Sequence, residues 1–116
     1  LHAIVKIRKV HEEDGRKAIQ AASRGHHSCK HIFVVDEDIN IYDPLSVEWA
    51  MATRFQADQD LVMLGRERGS SLDPSAEPNT YETCKVGFDL TAPLQAQGKH
   101  FKKVPFPAVN LSDFVT

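Results

Sequence analysis

The chain has little of what would place a protein quickly. Two cysteines in 116 residues are too few for a disulfide framework, and Cys29 and Cys84 read as reduced thiols of a cytoplasmic protein. No apolar run approaches the ~20 residues of a membrane-spanning helix, and no secretory leader is visible. An excess of basic charge is missing too: 14 Lys and Arg against 16 Asp and Glu leave a formal charge of −2. That balance argues against nucleic acid or an anionic membrane as partner. There is no internal repeat and no low-complexity tract. The length suits a single domain, 1–116, with one modest core. The opening "LHAIVKI" has no methionine and no polar lead-in, so it is expected to be a piece of a longer polypeptide.

What is present reads as alternating strands and helices. "HAIVKIRKV" (His2 to Val10) alternates Val5 and Ile7 with Lys6 and Arg8, the period of a strand. "EEDGRKAIQAASRG" (Glu12 to Gly25) reads as a helix with acids at its start, Arg24 near its end and Gly25 suited to a left-handed C′ position. Ala18, Ala21, Ala22 and Ile19 form its sheet-facing side. "HIFVV" (His31 to Val35) is a strand covered on both faces. A second helix runs from Pro44 to about Arg54, with Asp43 as N-cap, Pro44 at N1 and Tyr42 spaced to staple onto Val47. Leu45, Trp49 and Ala52 share one face of it, with Val47, Met51 and Phe55 nearby. "DLVMLG" (Asp60 to Gly65) is a third strand, and "RERGSSLDPSAEPNTYE" (Arg66 to Glu82) a loop. "KVGFDLT" (Lys85 to Thr91) is a further strand. The expected fold is α/β: a small, mostly parallel β-α-β-α-β sheet with right-handed crossovers, an added strand and an extended C-terminal tail. The apolar part of that tail, Val104 to Phe114, is expected to lie at an interface.

Four stretches carry candidate chemistry. Asp36, Asp38 and Asn40 match the first ligand positions of a calcium loop, but Ile41 and Val47 stand where glycine and glutamate are required. A phosphoacceptor reading fails because the strand that should end in aspartate ends in Gly65. The acids are therefore expected to form a strand-to-helix turn and to be structural or interfacial. "GHHSCKH" (Gly25 to His31) holds imidazoles and a thiol, yet His2, His11, Cys84 and His100 offer no paired second half of a zinc site. Neither cysteine has a nucleophile's local signature. "RGSSLDPS" (Arg68 to Ser75) follows a strand, and in open parallel sheets ligands approach the carboxyl ends of strands.

Four segments, "HAIVKIRK", "KHIFVVDEDINIYDPLSVEWAMATR", "RGSSLDPSA" and "KVGFDLTAPL", resemble in this order the C-terminal domain of the UbiD family of decarboxylases. The long central segment is the specific part, and the resemblance covers roughly Leu1 to Leu94. It implies a non-oxidative, reversible carboxy-lyase of aromatic or α,β-unsaturated acids. That enzyme uses prenylated FMN with a divalent metal (Mn or Mg) and potassium, the flavin coming from a flavin prenyltransferase. Catalytic residues and metal ligands are expected in a preceding domain absent from this chain, so this chain supplies none of either and is inactive alone. Its part is to cover the active site and mediate assembly as a homodimer or higher homo-oligomer. The resemblance places Ser70 and Leu72 nearest the substrate, and Arg24 where some relatives reach the cofactor phosphate with a lysine. Some relatives carry a bulky aromatic where Ser70 stands, which implies room for a larger or hydroxylated acid. The competing reading is a free-standing, non-catalytic α/β oligomerisation or binding module.

Overall fold

The computed structural model describes residues 1–96. The expectations for His100 and for Val104 to Phe114 lie outside the described residues. The elements run β1 (His2–Ile7), α1 (Asp14–Gly25), β2 (His31–Asp36), α2 (Pro44–Thr53), α3 (Ala57–Asp60), β3 (Leu61–Arg68) and β4 (Glu82–Leu90). A 3-10 turn follows at Leu94–Ala96. The four strands form one sheet in the order β1-β2-β4-β3. β1 and β4 flank β2 in parallel, with His2 beside His31 and His31 beside Val86.

The sheet is mostly parallel, as expected, and the third strand is the exception. β3 pairs antiparallel with β4, and β4 rather than β3 lies next to β2. α2 and the short α3 both lie between β2 and β3, and the chain enters β3 at the carboxyl end of β4. β3 runs in the reverse direction, and the loop after it leads back into β4. β3 also runs past Gly65 to Arg68, because a register shift between Met63 and Gly65 absorbs one residue. Gly65 takes φ 87° there, a left-handed conformation that glycine adopts without steric cost.

Both faces of β2 are covered, as its continuous apolar run predicts. Ile32 and Val34 pack with Ile19, Cys29 and Val62 on the α1 face, joined by Ala18 and Ala22. Phe33 and Val35 lie on the opposite face with Ile39, Ala50 and Leu90. Phe33 stacks on Phe88 at 4.8 Å between ring centroids. Gly87 lets α1 approach, since a Cβ there would collide with the buried Ile19 side chain. Ala21 is exposed and takes no part.

Helix ends follow the local signals only in part. Gly25 stays within α1 and is not left-handed; His26 ends the helix in extended conformation. Lys85, buried to 1% exposure on β4, donates to the His27 carbonyl instead. His27 lies just beyond the C-terminus of α1, whose negative dipole end favours a nearby cation. The buried side of α2 is Ser46 and Ala50, with Val47, Trp49 and Met51 half-covered. Leu45 and Ala52 are exposed, so the expected Leu45–Trp49–Ala52 face is not the one that packs. That helix is apolar on every side, so periodicity could not choose its inner face. Tyr42 is 89% exposed and staples nothing.

The start of α2 is as expected: Asp43 Oδ1 accepts the Leu45 N–H at 3.1 Å, with Pro44 at N1. Asp43→Ala should lower stability by about 0.5–2 kcal/mol, read as a shift in urea midpoint. An unchanged midpoint would mean that the cap contributes nothing.

Candidate functional site

The two edges of the sheet hold different chemistry. At the carboxyl edge, the acid-rich turn after β2 resolves into a clamp on one cation. Arg54, with its side chain 3% exposed, donates to Asp36 Oδ2 at 2.7 Å and to both oxygens of Asp38 at 2.9 and 2.8 Å. Asp36 Oδ2 also accepts the Ala92 N–H at 2.8 Å, tying the chain beyond β4 to the same point. Burial pushes the Asp36 carboxyl up, opposed by the Ala92 N–H and the Arg54 charge. Glu37 is exposed. The expectation that these acids are structural is therefore met for Asp36 and Asp38. Arg54, at the end of "VEWAMATR", is the partner that sequence reasoning left without a role. The signal for it was present: a cation closing an apolar helix that starts just after an acidic turn.

The nearby cleft of about 390 Å³ is lined by Lys9, Arg54, Gln56, Asp60, Asp89 and Thr91, among others. Its charged groups are largely engaged. Lys9 donates to the Ala92 carbonyl at 3.2 Å and pairs with Glu12, and Asp89 accepts from the Thr91 N–H and hydroxyl.

The amino edge is where the loop after β3 lies. The sequence expectation put this loop at the carboxyl ends of the strands. Because β3 is antiparallel, its own carboxyl end falls beside the amino ends of β1, β2 and β4. The loop is built from short-range bonds. Ser70 Oγ accepts the Leu72 N–H at 3.1 Å, and the Ser70 carbonyl accepts the Asp73 N–H at 3.2 Å. Asp73 accepts from the Ser75 N–H at 2.9 Å and from its hydroxyl at 2.7 Å. Asp73 also pairs with Lys30, just before β2, at 2.9 Å, which fastens the loop to the sheet. The Ser75 hydroxyl and the Lys30 ammonium hold the Asp73 carboxyl far below the usual carboxylate range.

Between loop and sheet opens a cleft of about 420 Å³. His2, Ser28, Lys30, His31, Ser70 and Leu72 line it, with Leu1 and Asp73. His31 Nδ1 lies 2.8 Å from His2 Nε2, a hydrogen-bonded imidazole pair built by the β1–β2 register. The structure thus brings Ser70 and Leu72 together in one cleft; Ser70 is half-buried and Leu72 is 89% exposed. Arg24 sits exposed on the last turn of α1 and is not among the lining residues. The histidine-rich stretch is divided: His31 turns to His2, whereas His26 and His27 stack on each other at 5.9 Å. Sequence reading weighed His2 and His31 only as separated zinc ligands, because their adjacency is a product of sheet register. Among the described residues, no group of three or more His, Cys, Asp or Glu is placed to hold a metal ion. The donor set of the described residues therefore does not fit the divalent metal that the resemblance implies.

Arg54→Met should cost about 3–5 kcal/mol, because two carboxylates lose their buried counter-charge. Combining it with Asp36→Asn should recover part of that loss in urea unfolding; strict additivity would disprove the clamp. The Asp73 anchor carries a pH signature. Its folded pKa is depressed, so its contribution is complete above the ordinary carboxylate value of 3.8 and lost as pH falls through the lower folded value. Asp73→Asn should remove that acid-range step from stability measured against pH, and an unchanged profile would assign the step elsewhere.

With this geometry in hand, comparison with known proteins is specific. The family described as 3-octaprenyl-4-hydroxybenzoate carboxy-lyase C-terminal domain (UbiD_C) matches residues 1–90. An anhydromevalonate phosphate decarboxylase of Aeropyrum pernix is 55% identical over 96 residues, which cover 83% of this chain and 22% of that protein. A gallate decarboxylase of Lactiplantibacillus plantarum is 43% identical over 91 residues, 76% of this chain and 18% of that protein. The structure of the UbiD-class enzyme HmfF from Pelotomaculum thermopropionicum, in complex with FMN, superposes with a TM-score of 0.82 at 37% identity. That match covers 98% of this chain and 26% of HmfF. The chain thus spans about a quarter or less of the length of these relatives. Matched over most of its length in sequence and in fold, the chain belongs to the UbiD family as a C-terminal domain.

Proposed function

We propose that this chain works as the C-terminal domain of a longer UbiD-class decarboxylase acting on an α,β-unsaturated acid that carries a phosphate. One observation carries the reading: 55% identity to a protein named for the decarboxylation of anhydromevalonate phosphate, against 43% to one named for gallate. Loss of water from a β-hydroxy acid leaves an α,β-unsaturated acid, the class from which CO₂ departs once the remaining electron pair has somewhere to go. That electron sink is prenylated FMN, the chemistry the cofactor itself supplies. The flavin, the divalent metal, potassium and the catalytic acids belong, in this reading, to the part of the polypeptide outside this chain. A flavin prenyltransferase supplies the cofactor. The free thiols Cys29 and Cys84 accord with a cytoplasmic enzyme, and assembly is as a homodimer or higher homo-oligomer.

In this reading the loop 69–76 closes over the substrate, with Ser70 and Leu72 facing it from the cleft at the amino edge. The exposure of Leu72 suits an apolar side chain awaiting a surface to cover. Lys30 and Asp73 hold the loop so that Ser70 is presented at a fixed place. Arg24 would reach the cofactor phosphate only from outside that cleft. The chain alone is inactive, because the reacting groups are not its own.

The test uses the complete polypeptide loaded with prenylated flavin. CO₂ release should be faster from a phosphorylated α,β-unsaturated acid than from hydroxylated benzoic acids; the reverse preference would overturn the substrate class. Ser70→Phe should reduce kcat/KM for bulky acids by about tenfold or more, because a ring replaces the space beside the hydroxyl. Unchanged selectivity would remove Ser70 from the substrate wall.

A further inference from the structure

The cleft at the amino edge holds a group that a plain cover for an active site does not need. His2 and His31, on adjacent parallel strands, are joined nitrogen to nitrogen at 2.8 Å. Such a pair shares one proton. In its neutral form it presents one donor and one acceptor at its two outer nitrogens, His2 Nδ1 and His31 Nε2, and the two exchange by a tautomer shift. With one more proton, both outer nitrogens become donors and the pair is cationic. Burial, together with the His2 charge, holds His31 below the usual imidazole range.

The surroundings favour an anion. Lys30 is the cation facing His31, and Asp73 is the facing anion, already engaged by Lys30 and Ser75. Phe33 lies 5.9 Å from His2 and Phe88 lies 6.4 Å from His31, between ring centroids, and both histidines line the cleft. Ser70 Oγ accepts the Leu72 N–H, so its own proton remains to be donated. Ser28 lines the same cleft, which at about 420 Å³ is roomy for a small oxyanion. The imidazole pair, the Ser70 hydroxyl and Lys30 line one cleft, and the Asp73 carboxylate beside them is already held by Lys30 and Ser75.

We propose that the His2–His31 pair, with the Ser70 hydroxyl and the Lys30 ammonium, forms a subsite for a phosphate monoester. Binding draws one proton from solvent onto the imidazole pair, so that both rings donate to phosphate oxygens. The inference rests on the decarboxylase reading only for where the phosphate comes from: it is carried by the acid substrate or by the flavin mononucleotide.

The experiment is made on the complete polypeptide, comparing wild type with the His2→Gln/His31→Gln double variant and with Ser70→Ala. The serine change keeps the test open should the double variant fail to fold. Inorganic phosphate is titrated by calorimetry in buffers of different ionisation enthalpy. Wild type should bind phosphate with net proton uptake, and the variants should bind more weakly by on the order of tenfold, the size of one charge-assisted hydrogen bond. Two further measurements separate the sources. A drop in the ratio of kcat/KM for phosphorylated over dephosphorylated acid assigns the site to the substrate. A drop in retention of FMN over riboflavin assigns it to the cofactor. Phosphate binding that is absent in wild type, or unchanged in both variants, would overturn the subsite. If no CO₂ is released from the phosphorylated acid while phosphate binding still follows the histidines, the decarboxylase reading falls and the subsite stands.

Discussion

The parallel pairing of β2 with β4 is the contact on which the rest of the domain depends. It places the two most buried strands side by side, so that α1 closes one face over Ile32, Val34 and Gly87 while α2 closes the other over Val35 and Leu90. With β4 inserted beside β2, β3 is left to add at the outer edge in the reverse direction. The reversal determines the location of the loop that follows β3, and with it which end of the sheet is available for binding.

Each end of the sheet is then secured by charge. At the carboxyl end Arg54 draws Asp36, Asp38 and, through Asp36, the Ala92 N–H to one point. At the amino end Lys30 and Asp73 fasten the loop. The two differ in burial and so in consequence. The Arg54 guanidinium is shut off from water, where removal of one partner strands the others. The Lys30–Asp73 pair is partly exposed, and its effect is to choose one loop position more than to stabilise the whole domain.

Much of this was legible from local chemistry. Asp43–Pro44 announced a helix start, and the run His31 to Val35 announced a strand buried on both faces. The failures have physical causes. α2 is apolar all round, so its pattern could not say that Ser46 and Ala50, not Leu45, face inward. Gly25 looked like a helix terminator, but it stays within α1 without a left-handed φ, and the chain turns extended at His26, while Lys85, distant in sequence, holds the His27 carbonyl just beyond. Gly65 looked like a strand end and is a bulge within one.

The candidate site shows the same boundary more sharply. Sequence alone determined the element types, the capped turn after β2, the absence of a disulfide framework and, through four ordered segments, the family. These depend on residues within a few positions of one another or on a long matching order. Tertiary structure alone decided that His2 touches His31, that Arg54 answers Asp36 and Asp38, and that Ser70 opens toward the amino edge. The reason is that register and strand direction are collective: they are set by how whole strands pack, and no short window of sequence encodes them.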